Sequence, residues 1–341
     1  MTIGAAARVP VMDASDMLVF ALNATRTFGA AVAARLGVPL AAHEEREFED
    51  GEHKARPLVG VRGRDAYVIQ SLHGDGGQSV NDKLCRLLFF LATLSDAGAS
   101  RVTAVVPYLA YARKDRQTKP RDPVTTRYMA LLFEAVGADR IIAFEVHNIV
   151  AFQNAFRVPT VHLDTRRLFA ERALALADGG ALAVASPDPG GVKRAQLFRE
   201  MLEQMAGRPI GAAYMEKRRS AGTVSGNLLA GEVGGARVLI IDDMIVGGGT
   251  MVRAAEAALE HGATETIALA AHGVFSKGAA ARLAASSLSR IIVTDSVTLD
   301  GAGSAGLPAN LEVIGAAPLF AEAIRRCHRD GSIVELIEGE A

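Results

Sequence analysis

Two adjacent carboxylates and a run of glycines stand together in the stretch LIIDDMIVGGGT, residues 239–250. The carboxylates of Asp242 and Asp243 can both accept hydrogen bonds from hydroxyl groups, so the pair suits the cis-diol of a ribose. Glycines leave backbone N–H groups accessible to a phosphate, and the helix that follows adds the positive end of its dipole. The spacing therefore predicts a sugar-phosphate site, with the phosphate at residues 246–250. The alternative is an ordinary glycine-rich turn with an acidic cap.

Charged residues also follow the ends of other predicted strands. The stretch VVPYLAYARKDR, 105–116, carries cations that could bind a polyphosphate or form a solvated charge run. A lone histidine, as in FEVHN (144–148), is most often structural, and an acidic turn such as FEDGE (48–52) is most often a hairpin tip. An acid before a glycine pair at a strand end, as in SPDPGGVKRA (186–195), favours a binding site. The candidates in the three strand-end stretches are Arg113, Lys114, Asp115, Arg116, His147 and Asp188.

The composition argues against several classes of protein. Lys and Arg number 37 against 38 Asp and Glu, and there is no Trp, so we expect no nucleic-acid-binding surface. Cys85 and Cys327 are far apart and are expected to be reduced thiols. No apolar run reaches about 18 residues and the first residues do not resemble a signal peptide, so we expect no membrane span and a cytoplasmic location. The sequence has no P-loop motif, and GAGSAG (301–306) precedes an apparent strand rather than the helix of a dinucleotide fingerprint.

Apolar runs alternate with helical segments, which predicts an α/β fold with mainly parallel sheets. The segment 152–164 is the predicted crossing between two similar units that enclose a cleft. The polar segment 216–235 is predicted to be either a surface hairpin or a mobile active-site flap. Strands are predicted at 17–22, 66–71, 102–108, 140–146, 181–186, 237–242, 266–272 and 290–296, and helices at 26–37, 81–98, 125–138 and 249–263.

Taken in order, these stretches resemble the ribose-phosphate pyrophosphokinases, also called phosphoribosyl pyrophosphate (PRPP) synthetases. The shared elements run from Phe48 to Asp295: FxDGE, VRG, QS, ND, PYxxYARxDR, a strand-end histidine, SPDxGG, KRR, DDM with a glycine-rich loop and threonine, and TD. The resemblance implies two tandem type-I phosphoribosyltransferase-like domains, each a mainly parallel sheet flanked by helices. The first would comprise 1–160 with 305–341, and the second 161–304. A homodimer or homohexamer with the ATP site shared across subunits is also implied.

The same resemblance implies the reaction and the roles of the residues. The pyrophosphoryl group of ATP would pass to the C1 hydroxyl of ribose 5-phosphate, giving PRPP and AMP, with Mg²⁺ neutralising the triphosphate. Lys217 and Arg219 would be the catalytic cations, and His147 and Asp188 would hold the metal. ATP would be bound by Phe48, Asp50, Glu52, Arg113, Lys114, Asp115 and His147. Ribose 5-phosphate would be bound by Asp188, Asp242, Asp243, Val246, Gly247, Gly248, Gly249 and Thr250.

The chain departs from the family pattern at several of these positions. The family usually has Asp-Thr where this chain has Val246-Gly247, so one anchor for the sugar and one for the phosphate are missing. Lys114 stands in place of the usual Gln, and Glu145 in place of the usual Asp. Two alternatives therefore stay open. One is a related diphosphotransferase or phosphoribosyltransferase acting on another sugar phosphate, and the other is a non-catalytic regulatory subunit associated with the synthetase.

Overall fold

The computed structural model describes residues 16–220, 223–299 and 306–338, apart from the side chains of 217–220 and 223–227. The strands are β1 (Met17–Ala21), β2 (His43–Glu47), β3 (His53–Pro57), β4 (Asp65–Ile69), β5 (Arg101–Val106), β6 (Arg140–Phe144), β7 (Thr160–Leu163), β8 (Leu182–Ser186), β9 (Gly211–Ser220), β10 (Thr223–Gly231), β11 (Arg237–Ile245), β12 (Glu265–Gly273), β13 (Arg290–Thr294) and β14 (Leu311–Ile314). The helices are α1 (Arg26–Leu36), α2 (Val80–Asp96), α3 (Thr125–Ala135), α4 (Ile149–Ala155), α5 (Arg166–Ala177), α6 (Val192–Ala206), α7 (Gly249–Glu260), α8 (Ala279–Ala284), α9 (Ala317–His328) and α10 (Ile333–Glu338).

The first sheet has the strand order β1-β4-β5-β6-β7, and all of its pairings are parallel. Its strands are continuous apolar runs because helices cover both faces of a parallel sheet. Helix α2 begins at a capping box in which the Ser79 hydroxyl accepts from the Asp82 N–H at 3.2 Å and the Asp82 carboxylate accepts from the Ser79 N–H at 2.8 Å. The helix thus begins at Val80, one residue before the start predicted from the sequence. Strands β2 and β3 form a separate hairpin.

The second sheet has the order β10-β9-β8-β11-β12-β13-β14, parallel except for the antiparallel pair β9–β10 at one edge. That pair contains most of the polar segment 216–235, whose backbone therefore forms a hairpin. The predicted α/β class with mainly parallel sheets is confirmed. Residues 1–15, 221–222 and 300–305 lie outside the described residues, and with them the N-terminal segment examined for a signal peptide and most of GAGSAG.

Two short strands differ from the predicted domain boundaries. Strand β7 pairs with β6 and extends the first sheet past residue 160, whereas β14 pairs with β13 in the second sheet although 305–341 was assigned to the first unit. Strand β14 is the apparent strand expected after GAGSAG, and its four residues, LEVI, are mostly half-buried. Helix α9 does return to the first unit, where the Phe320 ring meets Phe28 at 5.2 Å and Phe144 at 5.4 Å between centroids.

The two sheets are joined by buried hydrogen bonds as well as by helix α9. The Ser71 hydroxyl donates to the Ser296 carbonyl at 2.6 Å, and the His272 Nε2 lies 3.2 Å from the Phe144 carbonyl oxygen. Ser71 and Phe144 belong to the first unit, and His272 and Ser296 to the second. These contacts fix the carboxyl ends of strands from both sheets against one another.

Two smaller predictions can be compared directly with the structure. Cys85 and Cys327 are both free thiols, as their spacing predicted. Among the helices in the described ranges, none is both long and apolar enough to cross a membrane.

Candidate active site

A cavity of about 1070 Å³ lies where strand ends from the two sheets meet. The loops after β6, β8 and β11 line it, as expected for ligand sites at the carboxyl ends of parallel strands. The first unit also contributes the segment after β5. The sequence-predicted residues that line this cavity are Arg113, Asp115, Arg116, His147, Asp188, Asp242, Asp243, Val246, Gly247, Gly248, Gly249 and Thr250.

The two adjacent carboxylates lie at the end of β11 and are both bound by one guanidinium. Arg194 Nη1 lies 3.0 Å from Asp242 Oδ1 and 3.8 Å from Asp243 Oδ1, and its Nε lies 3.7 Å from Glu145 Oε2. Burial and the neighbouring Asp243 charge raise the pKa of Asp242. Burial alone would also raise the pKa of Asp243, but its hydrogen bond with His147 and the charge of Arg194 lower that pKa. The positive charge of Arg194 therefore stabilises the ionised form of this buried pair.

His147 joins the two units at the cavity. Its Nδ1 lies 2.8 Å from Asp243 Oδ2, although the two residues are 96 positions apart. This hydrogen bond raises the pKa of His147, against the opposing effect of burial. Nδ1 of His147 is thereby engaged with Asp243, so Nε2 is the ring nitrogen that is left for a ligand.

Asp188 is fixed by the turn that begins helix α6. Its Oδ1 accepts the N–H groups of Gly190 at 2.8 Å and Gly191 at 3.1 Å. Those bonds use one carboxylate oxygen and leave the other for a cation. The described part of the chain contains no group of three or more His, Cys, Asp or Glu side chains placed to hold a metal ion. A site that depends on one or two protein ligands and on substrate phosphates is nevertheless usual for Mg²⁺.

The glycine-rich loop, residues 246–250, joins β11 to the first turn of α7. Gly248 has a φ of +73°, a left-handed conformation that glycine adopts without strain. A Cβ added there would lie 2.9 Å from Leu283, so the close packing also requires glycine. The Val246 side chain lines the cavity with no polar atom, and the Gly247 position offers no hydroxyl. Phosphate binding at this loop must therefore depend on backbone N–H groups and on cations nearby.

The segment after β5 delivers only part of its charge to the cavity. Arg113, Asp115 and Arg116 line it, but Lys114 does not. The Lys114 ammonium instead contacts Asp122 and donates to the Thr118 hydroxyl at 3.0 Å. The Lys114 ammonium is thus paired with an acid eight residues later in the same loop, and its role in ATP binding stays a prediction.

The acidic turn after β2 lies away from the cavity lining. Phe48 is exposed and packs under the Arg46 guanidinium, which lies 5.2 Å from the ring centroid. Asp50 and Glu52 occupy the same turn, where the Asp50 carboxylate accepts the Glu52 N–H at 3.1 Å. Within one copy of the chain, these three residues do not join the other predicted ligands.

The two predicted catalytic cations are in the backbone of the β9–β10 pair. Lys217 pairs with Asn227 and Arg219 with Val224 in the antiparallel register. The last pair between β8 and β9 is Ser186 with Tyr214. Strand β9 continues beyond Tyr214, and Ser186 precedes the Asp188 turn. The side chains of Lys217 and Arg219 lie outside the described part of the structure.

Arg194 and Glu145 are central to the cavity but were not predicted as site residues. Arg194 lies in the first turn of α6, where a cation opposes the helix dipole unless acids face it. Glu145 is buried with a φ of +44°, and its Oε1 accepts both the N–H and the hydroxyl of Thr165 at 2.7 and 2.6 Å. The position of Arg194, three residues after SPDPGG, was a usable signal, whereas the conformation of Glu145 has no sequence signature.

Comparison with known proteins identifies the family. Residues 17–137 match the family model described as the N-terminal domain of ribose phosphate pyrophosphokinase, and 217–338 match the phosphoribosyl synthetase-associated domain. Ribose-phosphate pyrophosphokinase of Caldanaerobacter subterraneus is 36% identical over 94% of this chain and 98% of its own length. The one from Maricaulis maris is 37% identical over 90% of this chain and 95% of its own.

A solved structure agrees over nearly the whole chain. The crystal structure of phosphoribosylpyrophosphate synthetase from Mycobacterium smegmatis matches with a TM-score of 0.83 and 32% identity, covering 93% of this chain and all of the other. The chain belongs to the ribose-phosphate pyrophosphokinase family. The resemblance read from the dispersed motifs is thereby confirmed.

Proposed function

We propose that this chain transfers the β,γ-pyrophosphoryl group of ATP to the C1 hydroxyl of ribose 5-phosphate, producing PRPP and AMP. The family membership supports this reaction. The observation that carries it is the shared cavity. One unit contributes the paired acids and the glycine-rich loop, and the other contributes cations suited to a polyphosphate. In the reaction the C1 oxygen bonds to the β-phosphorus, the bond from that phosphorus to the α,β-bridging oxygen breaks, and the hydroxyl proton leaves to solvent.

The sugar phosphate is proposed to bind along the end of β11. Asp242 and Asp243 accept hydrogen bonds from the ribose hydroxyls, and the loop 246–250 binds the 5-phosphate through its backbone. Asp188 lies across the cavity from them, at the end of the neighbouring strand β8. The C1 hydroxyl would then face the segment from the first unit.

ATP is proposed to bind at the other side of the cavity, with its phosphates near Arg113 and His147. Lys114 is left out of this set because Asp122 already holds its ammonium. Phe48, Asp50 and Glu52 do not line the cavity of their own copy, so we propose that they bind the adenine of a neighbouring subunit in a homodimer or homohexamer. A chain expressed as a monomer would then lack half of its nucleotide site.

We propose that Mg²⁺ is the cofactor, and that His147 and Asp188 hold it. The donor set fits, because Asp188 keeps one carboxylate oxygen free and His147 keeps Nε2 free. The ion would neutralise charge on the transferring phosphates. Asp243 fixes the His147 ring by its hydrogen bond at Nδ1, so it also acts as an orienting partner.

Lys217 and Arg219 are proposed to stabilise the transferring group. The migrating pyrophosphoryl group is strongly anionic, so catalysis must depend on positioning and positive charge rather than on covalent chemistry. Both residues lie on a strand that extends beyond the end of β8. Removing such a cation costs about 10³-fold or more in rate in phosphoryl-transfer enzymes.

The test is a phosphorus NMR assay of the purified chain with ATP, Mg²⁺ and ribose 5-phosphate. We expect AMP and a sugar-linked pyrophosphate in equal amounts, with loss of both in Lys217→Ala. Arg167→Ala is the matched surface control, because Arg167 lies on the exposed face of α5 and, among the described residues, its ion pair is with Glu171. If AMP forms only with a different sugar phosphate, the substrate assignment is wrong. If AMP forms with none, with the assembly intact, the chain is not a synthetase.

A further inference from the structure

The carbonyl groups of Ile245, Val246 and Gly247, just before α7, are turned toward one neighbouring segment, residues 274–282. Backbone N–H groups of 274–276 donate to the carbonyls of Ile245 and Val246 at 2.8 to 3.1 Å. The guanidinium of Arg282, on helix α8, donates to the carbonyl of Gly247. Three successive carbonyls of the loop are therefore held on the same side.

This arrangement also fixes the direction of the loop's donors. In a trans peptide the carbonyl and the following N–H point in opposite directions. The N–H groups of Gly247 and Gly248 are consequently directed away from the 274–282 segment. Within the described ranges, neither has a hydrogen-bond acceptor in the protein, although both residues line the cavity.

Two guanidinium groups converge on this loop without an acid between them. Arg253, one turn into α7, lines the cavity, and its Nη1 lies 3.4 Å from the point that a Cβ on Gly249 would occupy. The Arg282 side chain lies within 3.8 Å of the same point. In the part of the chain that is described, neither guanidinium has an ion-pair partner, and the first turn of α7 contains no acid. Two like charges so placed are stabilised when an anion binds between or beside them.

We propose that Arg253 binds the terminal phosphate of the sugar directly and that Arg282 is a positioning residue that holds the loop's N–H groups toward it. The inference rests on the proposed function, since it concerns the same sugar-phosphate site. Recognition of the phosphate is then electrostatic. Two backbone N–H groups and one guanidinium bind it, because the Val246 and Gly247 positions offer no side-chain hydrogen bond. The substrate class selected is a sugar that carries a dianionic phosphomonoester at its end. Guanidinium groups suit phosphate because their planar donors can bind it in two places.

The experiment measures the Kd for ribose 5-phosphate by calorimetry with Mg²⁺ and α,β-methylene ATP, whose bridging carbon prevents transfer. A charge-assisted hydrogen bond to phosphate corresponds to about 10-fold to 100-fold in Kd, and we expect Arg253→Gln to weaken binding by that factor. Arg253→Lys keeps the charge and should recover part of the affinity. Arg167→Gln, on the exposed face of α5, should leave Kd unchanged.

Arg282 requires a readout that distinguishes positioning from structural damage. We expect Arg282→Gln to raise the KM for ribose 5-phosphate about 10-fold, while kcat and the KM for ATP stay within twofold. Arg282→Lys, which can still donate to the Gly247 carbonyl, should restore KM. Thermal unfolding of each variant should match the wild type, because both side chains are exposed.

The results separate this inference from the proposed reaction. If Arg253→Gln binds ribose 5-phosphate within twofold of the wild type, the inference is overturned even where the chain makes PRPP. If binding depends on Arg253 but no AMP forms with ATP, the inference stands and the proposed reaction fails. A wild-type chain without affinity for ribose 5-phosphate overturns both.

Discussion

Arg194 is the side chain whose removal tests the charge balance of the cavity most directly. It is held between three acids, with Asp242 at 3.0 Å, Glu145 at 3.7 Å and Asp243 at 3.8 Å. Arg194→Met keeps much of the length and removes the charge, leaving those acids buried and facing one another. Breaking a buried ion pair from one side costs about 3–5 kcal/mol of unfolding free energy. We expect a loss in this range at pH 8.

The loss should shrink as the pH falls. Burial already raises the pKa of Asp242 in the folded state, and loss of the Arg194 charge raises that pKa further, so at this carboxyl the folded state binds more protons than the unfolded state. Such a group costs stability progressively as the pH rises from the unfolded pKa to the folded pKa, and the cost disappears below the unfolded pKa. Each unit of pKa shift corresponds to about 1.4 kcal/mol. At pH 5 we therefore expect the variant to lie closer to the wild type than at pH 8.

The measurement is urea unfolding followed by circular dichroism at both pH values. Arg172→Met is the matched control, because Arg172 pairs with Glu312 at the protein surface, where an ion pair contributes about 1 kcal/mol or less. Adding Asp242→Asn to Arg194→Met should recover about 1 kcal/mol or more, since it removes one of the uncompensated charges. A cost below about 1 kcal/mol, or one that is equal at pH 5 and pH 8, would refute the proposed charge balance.

Three further predictions concern protonation and backbone conformation. Asp243→Asn should lower the midpoint of the His147 NMR titration, because the Asp243 hydrogen bond raises that pKa; an unchanged midpoint contradicts the pairing. Burial lowers the pKa of His272 to about 4, so as the pH falls the unfolded chain is protonated at this residue before the folded chain is. The unfolding free energy should therefore fall by up to about 3 kcal/mol from pH 6.5 to 4. The fall should be smaller in His272→Gln. Gly248→Ala should lower the unfolding free energy, measured in urea, by about 1 kcal/mol or more beyond the effect of Gly207→Ala. Both glycines have positive φ, but of the two only Gly248 lacks space for a Cβ. Equal costs for the two substitutions would contradict this.

The parts of the site that could be predicted are those encoded within a few residues of one strand end. The acids at 242–243 and the loop 246–250 follow an apolar run, and a parallel sheet brings such ends to one edge. The same reasoning placed Asp188 and His147 after their own strands, although their roles stay predictions. Periodicity likewise sufficed for most strands, because a strand buried on both faces must be apolar throughout.

What could not be predicted are contacts between segments that are distant in the chain. The pairing of His147 with Asp243 depends on how two sheets face each other, which no local pattern encodes. Lys114 was expected to bind ATP because its sequence neighbours are mainly basic. In the folded chain its ammonium instead forms an ion pair with Asp122. Strand β14 was expected as a strand, but its pairing with β13 in the second sheet was not, because a local pattern does not say which strand lies beside it.

The return of helix α9 to the first sheet has a consequence for how the chain is made. Phe320 and Ile324 share one buried core with Val19 and Tyr67, so part of one face of the first sheet stays uncovered until the ribosome has synthesised α9. The N-terminal unit cannot complete its folding while the second unit is still emerging. Uncovered apolar surface favours aggregation during that interval. Truncation before residue 317 should therefore leave the first unit unable to accumulate in folded form.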